Sequence, residues 1–212
     1  MKPRYVLTLA LVLCVLAAGC AGVRTPLKEQ DRTALRAVCV DRQVVMPDSA
    51  SYYGHLDGMG GAAFGIAGNM TGRVLEEPDR IALNTLFVEH RIDVAGMLRD
   101  GFKTRLAESG LFARVQDEGC EATFRITVEK YGLVARNFSP PIPQVWASFV
   151  LARPDGTVLW EIRVKQPDEF NFENTAPPMT VDEYRKNPEA LRQAFQGVLD
   201  IVARKSVAGL RS

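Results

Sequence analysis

Apolar and polar residues alternate almost strictly from Cys120 to Tyr131. Ala122, Phe124, Ile126 and Val128 fall on one side, and Thr123, Arg125, Thr127 and Glu129 on the other. A period of two predicts a strand with one buried and one wet face. Val145 to Leu151 and Thr157 to Lys165 predict two further strands, joined by Arg153-Pro154-Asp155-Gly156. Pro-Asp-Gly between apolar runs is a hairpin signal. In the later strand Val158, Trp160, Ile162 and Val164 share a face, opposed by Glu161, Arg163 and Lys165. Ala37 to Val45, with four valines around Cys39, predicts the first strand, and Pro47-Asp48-Ser49 ends it.

Elsewhere the period lengthens. Val94, Met97, Leu98, Phe102 and Leu106 recur at three and four, predicting a helix from about Asp93 to Ser109, capped by Asp93 and ended by Gly110. Asn187-Pro188 opens a second helix, whose stripe of Leu191, Phe195, Val198, Leu199 and Val202 runs to about Val207. Thr180 with Glu183 forms a capping box before a short turn. Ile81 to Ile92 fits either a short strand or a helical turn, with Pro78 ahead of it as a helix breaker. Ser139 to Pro143 and Gln166 to Met179 read as loops. One-faced strands and one-faced helices bury their apolar sides as an α+β two-layer sandwich, about four strands with two helices on one face.

Gly54 to Gly72 interrupts this pattern, with seven of the chain's 17 glycines and an apolar fill. Gly54 with Gly58, Gly61 with Gly65, and Gly68 with Gly72 stand four apart, a spacing that lets helix backbones approach closely. Two readings stay open: an element ordering against a membrane or partner, or a mobile loop.

The N-terminus adds a different signal. Lys2 and Arg4 precede an uncharged run from Tyr5 to Val15, too short for a bilayer span of about 20 residues. The run closes on Leu16-Ala17-Ala18-Gly19-Cys20. This resembles the lipobox of bacterial lipoproteins, with Ala17 where leucine is usual. The resemblance implies cleavage before Cys20, lipid on its sulfur, and no other cofactor. Ala21 is not the aspartate that retains such proteins in the inner membrane, so the implied destination is the periplasmic face of the outer membrane. The organisation expected is a signal peptide at 1–19, a lipidated tether at 20–36, and one α+β domain at 37–210 with a glycine-rich insertion at 54–72. The alternative is an ordinary signal peptide, or a core helix, with a chance cysteine.

Charge excludes some partners. Losing Lys2 and Arg4 with the leader takes the formal charge from +1 to −1. A near-neutral chain has no footprint for nucleic acid and no polybasic stripe for membranes, so attachment falls to the lipid. Cys14 leaves with the leader and Cys20 takes the lipid, which leaves Cys39 and Cys120 as a pair in an oxidising compartment. They form either a disulfide, with alpha carbons within about 7 Å, or two buried thiols.

Catalytic chemistry is sparse. His55 and His90 lack metal-ligand spacing, no Cys-x-x-Cys occurs, and no metal is expected. Ser109 precedes Gly110 without a nucleophile elbow. Glu161 and Asp168 read as solvated carboxylates, and Gly58-x-Gly60-x-x-Ala63 lacks the strand and helix of a nucleotide loop. Trp146 and Trp160 read as core or rim residues.

Element order, together with Gly110-Leu111-Phe112 and Asp155-Gly156, resembles a group of envelope lipoproteins over about residues 37–208. The group comprises the lipopolysaccharide-assembly lipoprotein, auxiliary lipoproteins of envelope ABC transporters, and the periplasmic domain of the curli secretion lipoprotein. It implies a non-enzymatic accessory in envelope transport or assembly, held by its lipid and meeting an envelope protein partner. Two alternatives are an oligomeric secretion pore or membrane-inserting element built on Gly54 to Gly72, and a periplasmic carrier of an apolar ligand.

Overall fold

The structure, a computed structural model, describes residues 23–53, 77–135, 139–167 and 176–211. The leader, Cys20 and the Gly54 to Gly72 segment lie outside them, as do His55 and Asp168.

One mixed sheet carries the fold. Its strands are β1 (Val23–Thr25), β2 (Ala37–Val45), β3 (Ser51–Tyr53), β4 (Arg114–Gln116), β5 (Ala122–Val134), β6 (Ile142–Ala152) and β7 (Val158–Gln166). The order across the sheet is β1-β7-β6-β5-β2-β4, and β3 pairs with the far end of β5. β5, β6 and β7 form an antiparallel meander, whereas β2 and β3 run parallel to β5. The helices are α1 (Glu29–Ala34), α2 (residues 77–89), α3 (Val94–Glu108), α4 (Val181–Lys186) and α5 (Pro188–Ala208).

Seven strands and five helices among the described residues exceed the four and two expected, and the additions have physical reasons. β1, β3 and β4 have three residues each, too few for a period to register. The ambiguous 81–92 stretch is the greater part of α2, which buries Leu83, Leu86 and Phe87 at helical spacing. Pro78 sits in its first described turn. The stretch expected as a tether is largely folded: β1 pairs with β7, α1 follows, and Leu27 and Leu35 are buried. β6 starts at Ile142 and takes Pro143 into the ladder opposite Leu133, so the proline-rich loop is shorter than expected.

α3 packs against β2 and α5 against β6 and β7, and the two helices also pack on each other. Aromatic rings fill the layer between: Phe102 lies 5.2 Å from Phe124 and 4.8 Å from Phe149, and Phe124 lies 5.9 Å from Trp160. Phe87 stacks edge-on to Phe195 at 4.9 Å. Trp160 is fully buried, and its indole N–H donates to the Gly209 carbonyl at 3.1 Å. That bond satisfies the one polar atom a buried tryptophan carries.

Capping follows the local chemistry. The Asp93 carboxylate accepts from the Gly96 N–H at 2.9 Å, and Asn187 Oδ1 accepts from Ala190 at 3.3 Å. Thr180 and Glu183 cap reciprocally, as a capping box requires. Gly132 has φ +144°, and a Cβ there would stand 1.8 Å from the Ser51 carbonyl oxygen. Only glycine lets β3 approach β5 this closely.

Cys39 and Cys120 are joined, with alpha carbons 5.6 Å apart. The bond ties the start of β2 to the residues leading into β5. Beside it, the Glu121 carboxylate accepts from the backbone N–H of Arg36 at 2.5 Å and of Ala37 at 3.1 Å. These bonds favour the ionised form and hold Glu121 below the usual carboxylate range.

Candidate functional site on the open sheet face

Strand alternation sends every second residue of β5, β6 and β7 away from the helices. On β7 these are Glu161, Arg163 and Lys165; on β6 they are Trp146, Ser148 and Val150. Register then decides who meets whom. Lys165 stands opposite Trp146, and Trp146 opposite Lys130. The result is a row across three strands at one end of the sheet, with an indole between two ammonium groups.

Lys130 reaches this face through an irregularity. β5 shifts register between Val128 and Lys130, leaving Glu129 as the extra residue. Unbroken alternation places Lys130 on the core side; the bulge turns it out and brings Tyr131 in, where it is buried. Lys130 Nζ lies 4.7 Å from the centre of the Trp146 ring and 3.6 Å from that of Tyr53. Lys165 Nζ also lies 4.7 Å from the Trp146 ring, and the Arg163 guanidinium 5.9 Å from it. Cations over an aromatic face gain about 0.5–1 kcal/mol each at exposed sites.

Glu129 supplies the nearby opposite charge. It accepts from the Ser148 hydroxyl and from the Arg163 guanidinium. Arg163 Nε is buried with no hydrogen-bond partner among the described residues. Among the described residues Lys130, Arg163 and Lys165 stand beside Glu129 at this end of the face, while Glu161 lies further toward the hairpin. Such a surface can hold phosphate or carboxylate groups and lay an indole against the apolar part of a ligand.

The sequence-predicted residues scatter around it. Glu161 lies on the open face as expected, half-buried. Trp160 is core, while Trp146 is the centre of the row, a role the sequence reading missed. The Ser109 hydroxyl donates to the Leu106 carbonyl at 2.6 Å and accepts from the Leu111 N–H at 3.2 Å, closing α3 rather than forming a nucleophile. The His90 carbonyl accepts from Arg192 at 2.5 Å. Among the described residues no group of three His, Cys, Asp or Glu side chains is placed to hold a metal ion. No helix among them is long and apolar enough to cross a membrane.

Among the described residues, two grooves lie on the helical surface. One, of about 570 Å³ between α3 and α5, is lined largely by charge, with Arg105 and Asp200 in contact across it at 2.9 Å. The other, of about 730 Å³ between α2 and α4, is lined by Ile81, Thr85, Leu86 and Arg185. Neither lies between helices and sheet, where the carrier reading needs its cavity.

No family model matches the chain, and no curated protein does. Similar solved structures include a point variant of the PelC dodecamer from Paraburkholderia phytofirmans, at 11% identity and TM-score 0.40 over 82% of this chain and 87% of that one. Protein XCC0632 from Xanthomonas campestris, assigned to the family model DUF330, is similar at 18% identity and TM-score 0.37, over 53% and 58%. Lipoprotein GNA1162 from Neisseria meningitidis is similar at 18% identity and TM-score 0.26, over 61% and 81%.

Proposed function

We propose that this chain is a bacterial envelope lipoprotein, anchored through acylated Cys20 at the periplasmic face of the outer membrane. In this reading it is a non-enzymatic accessory in envelope transport or assembly, working by contact with a protein partner. One combination of cysteines carries the reading. The leader ends in the lipobox-like Leu16-Ala17-Ala18-Gly19-Cys20, and the two cysteines left to the folded domain form a disulfide. Disulfides persist in oxidising compartments, and the bacterial periplasm is one. The polar, cation-rich open face supports a binding role over a catalytic one. The carrier reading loses support, because rings 4.8–5.9 Å apart occupy the layer it needs.

The test is membrane fractionation of bacteria expressing the chain or its Cys20→Ser variant, each grown with labelled palmitate. The reading expects the natural chain labelled and in the outer-membrane fraction, with the variant unlabelled and released from it. Equal membrane retention without label in both would overturn it.

A further inference from the structure

We infer that the Lys130-Trp146-Lys165 row is the surface by which the anchored domain rests on anionic phospholipid headgroups. The inference takes its orientation from the lipid anchor proposed above.

Chain direction supplies the first argument. β1 runs antiparallel to β7, with Thr25 opposite Glu161 and Val23 opposite Ile162. Toward its N-terminus the chain therefore travels toward the Lys165 end of β7. Only three peptide steps separate Cys20 from Val23, a reach of at most about 11 Å. Lys165 lies three residues beyond Ile162, about 10 Å along the strand. Trp146 and Lys130 follow at about 4.8 Å per strand. The anchor thus leaves the domain at the sheet end that carries the row. A tether this short gives the row a high effective concentration at the bilayer surface, ahead of any soluble acidic segment.

Complementarity supplies the second. Tryptophan and lysine suit a membrane interface, because each has an apolar body and a polar tip. Arg163 is partly neutralised by Glu129, while Lys165 has no carboxylate partner among the described residues. Each cation near an anionic leaflet strengthens its hold by about fivefold. The short row adds to the lipid anchor and sets which end of the sheet faces the membrane.

The experiment uses the full acylated chain in nanodiscs, after its N-terminal mass has been measured. Trp160 is buried, so quenching of tryptophan emission by a headgroup-spin-labelled phospholipid reports Trp146. In discs containing phosphatidylglycerol the label should at least halve the Trp146 emission, and in purely zwitterionic discs it should do clearly less. Trp146→Phe removes the quenchable signal, and Lys130→Gln with Lys165→Gln restores emission at least twofold. Unchanged emission in the acylated chain, or equal quenching in both discs, would overturn the inference and leave the anchor standing. Emission insensitive to the labelled lipid but altered by polyglutamate assigns the face to an acidic protein segment and also overturns it. A chain without acyl mass removes the anchor and the inference together.

Discussion

At the scale of single residues, Gly132 is the position with least freedom. Its φ of +144° and the Ser51 carbonyl, 1.8 Å from where a Cβ would stand, both exclude a side chain. Gly132→Ala is expected to cost about 3 kcal/mol in denaturant unfolding, through backbone strain and the forced parting of β3 from β5. A loss under about 1 kcal/mol would mean that β3 is not held there. Tyr184 is the second such residue. Burial pushes its phenol from the ordinary 10.0 up to about 12, because the charged form is denied solvent. A raised pKa means that the stability it lends is complete below 10.0 and lost as the pH climbs through about 12. Melting temperatures between these limits should fall more steeply for the natural chain than for Tyr184→Phe, and parallel declines would contradict this.

At the scale of elements, α5 is the clearest. Its apolar stripe is fully buried along Leu191, Phe195, Leu199 and Val202, and Phe195 stacks on Phe87 of α2. Phe195→Ala should cost about 3–5 kcal/mol in a thermal or urea melt. Unchanged stability would show that the helix does not dock. Elements like this one were legible because periodicity accumulates over length: α3, α5, β2, β5, β6 and β7 all lie close to where their patterns put them. Three-residue strands carry no period, and partners far along the chain order them. α2 was ambiguous because Leu83, Leu86 and Phe87 form a narrow stripe shortly after a proline, a residue that ordinarily breaks helices. The row around Trp146 was hidden for a third reason. It depends on a bulge at Glu129 and on the register of three strands, and neither is a local property of sequence.

At the scale of the molecule, one covalent feature is the disulfide and a second is the lipid anchor proposed at Cys20. The Cys39–Cys120 bond closes a loop over a separation of 81 residues. In the chain-entropy model that constraint is worth about 4.5 kcal/mol, so the double Cys39→Ser, Cys120→Ser variant should melt well below the oxidised protein and together with the reduced one. An unchanged melt would mean that the strands beside it hold the loop unaided. The pairing was legible as one of two possibilities; only the fold brought the two alpha carbons within bonding range. The other feature is the proposed anchor. With β1 and α1 folded onto the domain, only a few residues separate Cys20 from the sheet, so the domain lies close to whatever holds that sulfur. Mass spectrometry of the N-terminal peptide of the membrane-extracted protein tests this most directly. The account predicts a chain beginning at Cys20 and carrying diacylglycerol with an added acyl group. An intact leader, or Cys20 with a free thiol, would contradict it.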